Sequence, residues 1–374
     1  MLKRSIRYAA CLAASTALVL LLIEAGLRVF LGLPRGMYDV QPSDGGSLYR
    51  RNAAIHLLWT PIPYTIQTNR LGFRGPEVSV EKPAGVFRII ALGDSVTDGF
   101  YVENENTFPF QLERMLRARG TAAEVVNAAR GFTAIDGEFE ILKKFCLPLT
   151  PDLVILTFCS NDIEEIRDKP KEALLKSDLF EPETARRSEW LMFGRTALGE
   201  CILDLSLRWK FPKYRHNRAV LSQHELAARY EIPGGDRFRE NARFFLDHHA
   251  ARSHGIILYE EYTPEQRQSI ENYLWVLEQV NRFCAEHGIR LVFSYYPDYP
   301  EVYLPERNVP MRALLREGCA RLGIPFIDLV EPFRRETGKV LHFAPLDFHP
   351  NPEGNRVIAQ AVADFLSAQR LVPQ

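Results

Sequence analysis

Ser95 and His349 are the two residues of this chain whose types and surroundings fit nucleophilic chemistry. Ser95 follows the apolar run Ile89-Ile90-Ala91-Leu92 through Gly93-Asp94 and precedes Val96-Thr97-Asp98-Gly99. An apolar strand that feeds a small, glycine-flanked turn sets a serine oxygen at the mouth of a sheet. Its backbone N–H then faces whatever binds there. A serine hydroxyl is a weak nucleophile until a base takes its proton. His349, in Asp347-Phe348-His349-Pro350-Asn351, supplies one. In an extended stretch, alternate residues face the same side, so Asp347 can reach the imidazole and fix its tautomer. Read singly, Ser95 is equally a helix cap and His349 a structural histidine.

A serine that attacks a carbonyl also needs donors for the developing oxyanion. Three candidates stand where predicted strands end. The first is the backbone N–H of Ser95 itself. Gly131, in Asn127-Ala128-Ala129-Arg130-Gly131-Phe132, lets its N–H approach an anion closely. Asn161, in Cys159-Ser160-Asn161-Asp162, carries a side-chain amide. Thr97 and Asp98 are expected to support the turn after Ser95.

The elements that position these residues alternate. Strands are predicted at 86–92, 124–128, 153–158, 291–295 and 325–329, and helices at 108–119, 135–145, 270–287, 311–322 and 352–366. Asn351 and Pro352 look like the cap and first position of the last helix. Such alternation implies a parallel sheet covered on both faces. The rhythm breaks over about 163–264, a polar insertion with helical parts.

Lys3, Arg4 and Arg7 precede an uncharged run from Tyr8 to Ile23, and apolar residues resume through Leu33. The uninterrupted run is slightly short of the roughly 20 residues that span a bilayer. Glu24 and Arg28, one helical turn apart, can pair at its edge. No small-x-small cleavage site follows, so the segment reads as an uncleaved signal anchor rather than a signal peptide. Basic residues before it place the N-terminus in the cytoplasm and the rest outside. The expected organisation is therefore an anchor at 1–34, a juxtamembrane connector at 35–67 and a catalytic domain at 68–374 with the insertion inside it.

The formal net charge of −1 gives no reason for a nucleic acid partner. None of the six cysteines forms a C-x-x-C pair, so neither a zinc site nor a metal cofactor is expected. Cys159, Cys284 and Cys319 read as small buried hydrophobes. His248, His249 and His254 cluster without an acidic partner motif. Arg208-Trp209-Lys210-Phe211-Pro212-Lys213-Tyr214-Arg215-His216 interleaves basic and aromatic residues. It reads as a solvated loop, or as a contact for lipid headgroups or an acidic glycan.

Taken together, Ser95, Gly131, Asn161 and His349 resemble, in order, the block residues of the SGNH, or GDSL-type, hydrolase family. The lead-in Asn69-Arg70-Leu71-Gly72-Phe73-Arg74-Gly75 is similar to one in membrane-anchored members. The resemblance spans about 68–366 and departs twice. Cys159 replaces a block-three glycine, which is expected to narrow the pocket while leaving Asn161 in place. The acid stands two residues before the histidine, at Asp347, where the family usually has it three before, at Leu346. The shorter spacing resembles the alginate-acetyltransferase branch.

The resemblance implies a flavodoxin-like three-layer α/β/α sandwich with a five-stranded parallel sheet. It implies catalysis by Ser95, His349 and Asp347, an oxyanion hole of Ser95, Gly131 and Asn161, and no cofactor. The expected function is a serine esterase acting on O-acyl esters of carbohydrate or lipid outside the cytoplasm, held in the cell membrane by a single N-terminal helix. The alternatives are an O-acyltransferase acetylating an exported polysaccharide, and a non-catalytic scaffold of a surface-polymer assembly complex.

Overall fold

The computed structural model describes residues 2–31, 47–57, 62–167, 169–175, 196–199, 201–202, 235–249, 261–344 and 347–373. Helix α1 (Leu2–Leu31) comes first, then the antiparallel hairpin β1 (Ala54–Leu57) and β2 (Tyr64–Gln67). The alternating part starts with β3 (Phe87–Gly93), α2 (Ser95–Asp98), α3 (Phe108–Ala118), β4 (Ala123–Asn127), α4 (Ile135–Ile141), β5 (Leu153–Phe158) and α5 (Asn161–Ile166). It continues with α6 (Gly235–His249), α7 (Pro264–Glu286), β6 (Arg290–Tyr295), α8 (Tyr299–Tyr303), α9 (Pro310–Arg321), β7 (Phe326–Asp328), α10 (Val330–Arg335) and α11 (Pro352–Ala368).

The five strands from β3 to β7 form one parallel sheet in the order β4-β3-β5-β6-β7. Counted from β3, this is second, first, third, fourth, fifth, the flavodoxin-like order. The strands read as unbroken apolar runs because both faces are buried. Ile90 and Leu92 of β3 pack into one core with Val154, Leu156 and Phe158 of β5. Ile89 and Ala91 pack into the other with Leu153 and Ile155. Tyr273, Val276 and Leu277 of α7 cover the first face. Leu112 of α3 and Ile358 and Val362 of α11 cover the second. The result is a three-layer α/β/α sandwich. Its switch point, where neighbouring connections leave to opposite faces, lies at the carboxyl ends of β3 and β5. Ligands bind in that crevice.

Element boundaries follow the sequence closely, with three informative differences. Helix α7 begins earlier than apolar periodicity indicates, because Thr263 and Gln266 form a reciprocal capping box. The helix expected at 135–145 is regular only to Ile141 and continues as a wider-wound segment, Leu142–Cys146. The β1–β2 hairpin lies inside the stretch expected as a connector. Ile55, Tyr64 and Ile66 are buried in the first core, so at least that part is built into the domain. The insertion expected at 163–264 lies mostly outside the described residues, as do Arg208 to His216 and His254. His248 and His249 fall on α6.

Helix α1 contains an exposed apolar stretch, Arg7–Phe30, of 24 residues and mean hydropathy 2.1. That exceeds the roughly 20 residues a bilayer requires. Its length and composition fit either a membrane anchor or a signal sequence. Glu24 and Arg28 pair at 2.6 Å, which lets the helix run past the end of the uncharged segment. Glu24 also accepts the Ala197 and Leu198 N–H groups at 3.0 and 2.9 Å.

Candidate active site

The turn after β3 is built by close approach. Gly93 has φ +150°, and a Cβ there would lie 2.3 Å from Thr97 Oγ1, so a side chain would block the chain's return. Asp94 caps α2, its Oδ1 accepting the Val96 N–H at 3.1 Å. Because Asp94 caps, Ser95 is the first helical residue, and its hydroxyl is left for other partners. Ser95 Oγ lies 2.8 Å from His349 Nε2 and 3.2 Å from Asp94 Oδ2.

His349 is positioned by the start of α11. Asn351 caps that helix by accepting the Gly354 N–H at 2.9 Å, and Pro352 holds its first position. Two residues before the imidazole, Asp347 Oδ1 accepts both the His349 backbone N–H at 3.0 Å and the Nδ1–H at 2.5 Å. That contact fixes the tautomer and leaves the Nε2 lone pair facing Ser95. Burial works to lower the imidazole pKa. The Asp347 carboxylate outweighs it through charge and hydrogen bonding, with Asp94 adding, so His349 is raised above the ordinary 6.5. Burial likewise pushes Asp347 up. The charge and hydrogen bonds of His349, with the Tyr101 hydroxyl, bring it below the ordinary 3.8.

Aromatic rings wall the imidazole. Phe100 stacks on it at 5.4 Å between centroids, and Tyr101 meets it edge-on at 5.3 Å. A Cβ at Gly131 would lie 2.2 Å from the Phe100 ring, so this glycine clears the space Phe100 needs. Phe132, next in sequence, has φ +64° and is 82% exposed. Its ring meets Phe100 at 5.6 Å. An aromatic ledge therefore runs outward from the imidazole into solvent.

The structure brings Ser95, His349 and Asp347 into one hydrogen-bonded chain. The candidate oxyanion donors stand at the same sheet edge with other partners. The Ser95 N–H has no acceptor among the described residues. The Gly131 N–H donates to Asp98 Oδ2 at 3.2 Å. Asn161 Nδ2 donates to Glu165 Oε1 at 2.9 Å and carries a second N–H. Cys159, expected to narrow the pocket, is buried in the core cluster that holds Val96 and Tyr296, so its thiol packs inward. Among the described residues no disulfide forms, and no cluster of three or more His, Cys, Asp or Glu is arranged around a metal position.

Sequence reasoning gave Asp98 a minor place, and the structure makes it a hub. It is fully buried, accepts the Tyr49 hydroxyl at 2.6 Å, and lies 3.7 Å from Arg74 Nη1. Burial raises its pKa despite these partners. Arg74 donates to the carbonyls of Asp98, Gly99 and Val102 at 2.7, 2.8 and 2.5 Å. The lead-in segment thus grips the loop that follows the nucleophile. Its own sequence was a signal for this, because an arginine between glycines and a proline has no surface-helix reading. Behind Asp94, Glu138 and Asp162 are buried, and burial raises both well above their ordinary values, with repulsion from Asp94 adding for Glu138 and from Glu138 and Asp94 for Asp162. Asp162 still accepts the Cys159 N–H at 3.1 Å, which ties the Asn161 turn to the end of β5.

A sandwich of this strand order with a serine beside an imidazole at its switch point defines the class: a serine hydrolase that acts on ester bonds. A family model described as GDSL-like Lipase/Acylhydrolase family matches residues 91–357, and the chain belongs to that family. Several solved structures are similar. LAE5, an alpha/beta hydrolase enzyme from the metagenome of Lake Arreo, Spain, is 16% identical, with 77% of this chain and 97% of that chain covered at a TM-score of 0.41. A catalytic mutant of Axe2, an acetylxylan esterase from Geobacillus stearothermophilus, is 10% identical over 75% of this chain and 94% of that chain, TM-score 0.39. TesA is 12% identical over 75% of this chain and 98% of that chain, TM-score 0.40. No curated protein matches the chain.

Proposed function

We propose that Ser95, His349 and Asp347 carry out ester cleavage through an acyl-enzyme. The observation that supports this most is the unbroken chain from Ser95 Oγ to Nε2 at 2.8 Å and from Nδ1 to Asp347 at 2.5 Å. His349 takes the hydroxyl proton as Ser95 attacks the acyl carbonyl. Asp347 stays ionised and stabilises the imidazolium. The Ser95 N–H and the second N–H of Asn161 receive the oxyanion. Gly131 joins them by exchanging Asp98 for the oxyanion. His349 then protonates the leaving alcohol, and water attacks the acyl-serine by the same route in reverse.

The substrate class we infer is an O-acyl ester of a carbohydrate or lipid. The Phe100–Phe132 ledge supports it, since an exposed aromatic face suits an acyl chain or the C–H face of a sugar ring. We place the catalytic domain, 68–374 with its insertion and the β1–β2 hairpin, outside the cytoplasm on a single-pass anchor formed by α1. The length of α1 and the basic residues in its first turns, Lys3, Arg4 and Arg7, support this.

Fluorophosphonate labelling tests the nucleophile. The wild type should be labelled and should hydrolyse p-nitrophenyl acetate, and Ser95→Ala should do neither. Equal labelling of both proteins would sink the assignment. The Asp-x-His spacing keeps an acyltransferase as the second reading. A trapped acyl-Ser95 released faster by added sugar than by water would establish transfer.

A further inference from the structure

We infer that Tyr101 is a positioning residue for the reaction, holding the Asp347 carboxylate against His349. The inference rests on the proposed role of Asp347 and goes beyond it. Three observations converge on this tyrosine. Its hydroxyl hydrogen-bonds the Asp347 carboxylate. Its ring stands edge-on to the imidazole at 5.3 Å. Its backbone is in the left-handed region, φ +66°, although it is not glycine and is only 7% exposed.

A strained residue persists where its surroundings over-determine it, and such residues cluster at functional sites. Here the surroundings are visible. The Arg74 guanidinium bonds the carbonyls of Asp98, Gly99 and Val102, which bracket Tyr101 on both sides. Tyr64, Phe100 and Phe343 pack on its ring at 5.8, 5.8 and 6.1 Å. The loop cannot relax without breaking these contacts.

Asp347 needs such a holder. It lies in no helix or strand, so no regular backbone fixes its rotamer. Its Oδ1 already accepts two N–H groups, both from His349. The Tyr101 hydroxyl is the donor that ties this carboxylate to the nucleophile loop rather than to its own turn. When Ser95 gives its proton to Nε2, the carboxylate must keep its charge and place, and a fixed O–H dipole serves both needs without reorganising.

Tyr101→Phe keeps the ring and removes the donor. Asp347 then presents more negative potential to the imidazole, so the acid limb of kcat/KM should move to higher pH. The kcat should fall about tenfold with KM changed less than about twofold, as expected for a lost bond to a charged group. The titration of His349 followed by 15N NMR should move the same way. An acid limb that stays in place overturns the inference whatever happens to kcat or Tm, because lost packing alone does not move it. Should Tyr101→Phe fail to fold, difluorotyrosine at position 101 strengthens the donor at nearly constant shape. The limb should then move to lower pH, and an unmoved limb again overturns the inference. An active wild type with an indifferent Tyr101→Phe removes this inference alone. A wild type inert to ester and fluorophosphonate removes the proposed function with it.

Discussion

Asp98 and Asp347 flank the same loop and meet opposite fates. Asp98 accepts the Tyr49 hydroxyl and the Gly131 N–H and has Arg74 nearby, yet its pKa is raised because it is buried completely. Asp347 accepts the His349 backbone N–H, the His349 ring at 2.5 Å and the Tyr101 hydroxyl, and the charge and hydrogen bonds of the imidazole lower its pKa against burial. Burial acts to raise both, and direct contact with the imidazole is what turns the shift of Asp347 downward. The interior carboxylate suits a structural hub, and the rim carboxylate suits a counter-charge for an imidazolium.

Activity should separate the catalytic candidates from the buried hub by the largest margin. Ser95→Ala should lower kcat/KM by at least about 10⁴-fold and Asp347→Asn by about 10³- to 10⁴-fold, because the amide no longer holds the tautomer. A p-nitrophenyl ester assay checks both, and a loss of less than tenfold in Asp347→Asn would mean that the rim carboxylate is not the partner. Asn161→Ala should cost about 10²- to 10³-fold, as one oxyanion donor does; the same assay with KM resolved tests whether the loss sits in kcat.

Asp98→Ala should act on stability instead. It strands Arg74 as a buried, uncompensated cation, which destabilises by about 3–5 kcal/mol. Urea denaturation measures this, and an unchanged midpoint would show that the buried pair is not a fastening.

The smallest effects sharpen the contrast by sign. For Asp98 the folded pKa is above the unfolded 3.8, so its contribution is present below that value and lost as pH rises through the folded pKa. For Asp347 the folded pKa is below 3.8, so its contribution is present above that value and lost as pH falls through the folded pKa. Stability against pH in Asp98→Asn and Asp347→Asn should therefore depart from wild type with opposite slopes. In activity, His349 must be neutral to act as base, so the acid limb of kcat/KM should lie above 6.5. A limb at or below that value would show that Asp347 does not hold the imidazole in solution.

Much of the fold was legible because its signals are local. The apolar runs of β3 and β5 are continuous since both faces are covered, and continuity is visible in the chain. Asn351-Pro352 announced α11 through cap chemistry alone. The hairpin at Ala54–Gln67 was not legible, because its short strands bury residues against a core assembled from distant segments. The meeting of Ser95, His349 and Asp347 at the sheet edge was legible, and the partners of the candidate donors less so. Nothing near Gly131 indicates that its N–H turns to Asp98, and nothing near Tyr101 indicates Asp347.

The sequence by itself determined which groups exist and where the chain turns: a serine after a glycine-ended strand, a histidine before a capped helix, and an arginine in a glycine-rich lead-in. These follow from neighbours within a few positions, where periodicity and capping act. Only the tertiary structure decided in which direction the pKa of each of these two aspartates moves, and which loop residue hydrogen-bonds Asp347. Those outcomes depend on burial depth and on contacts between residues far apart in the chain, such as Arg74 with Val102 and Tyr101 with Asp347. The irregular dihedrals that create these contacts have no repeat for a sequence to display.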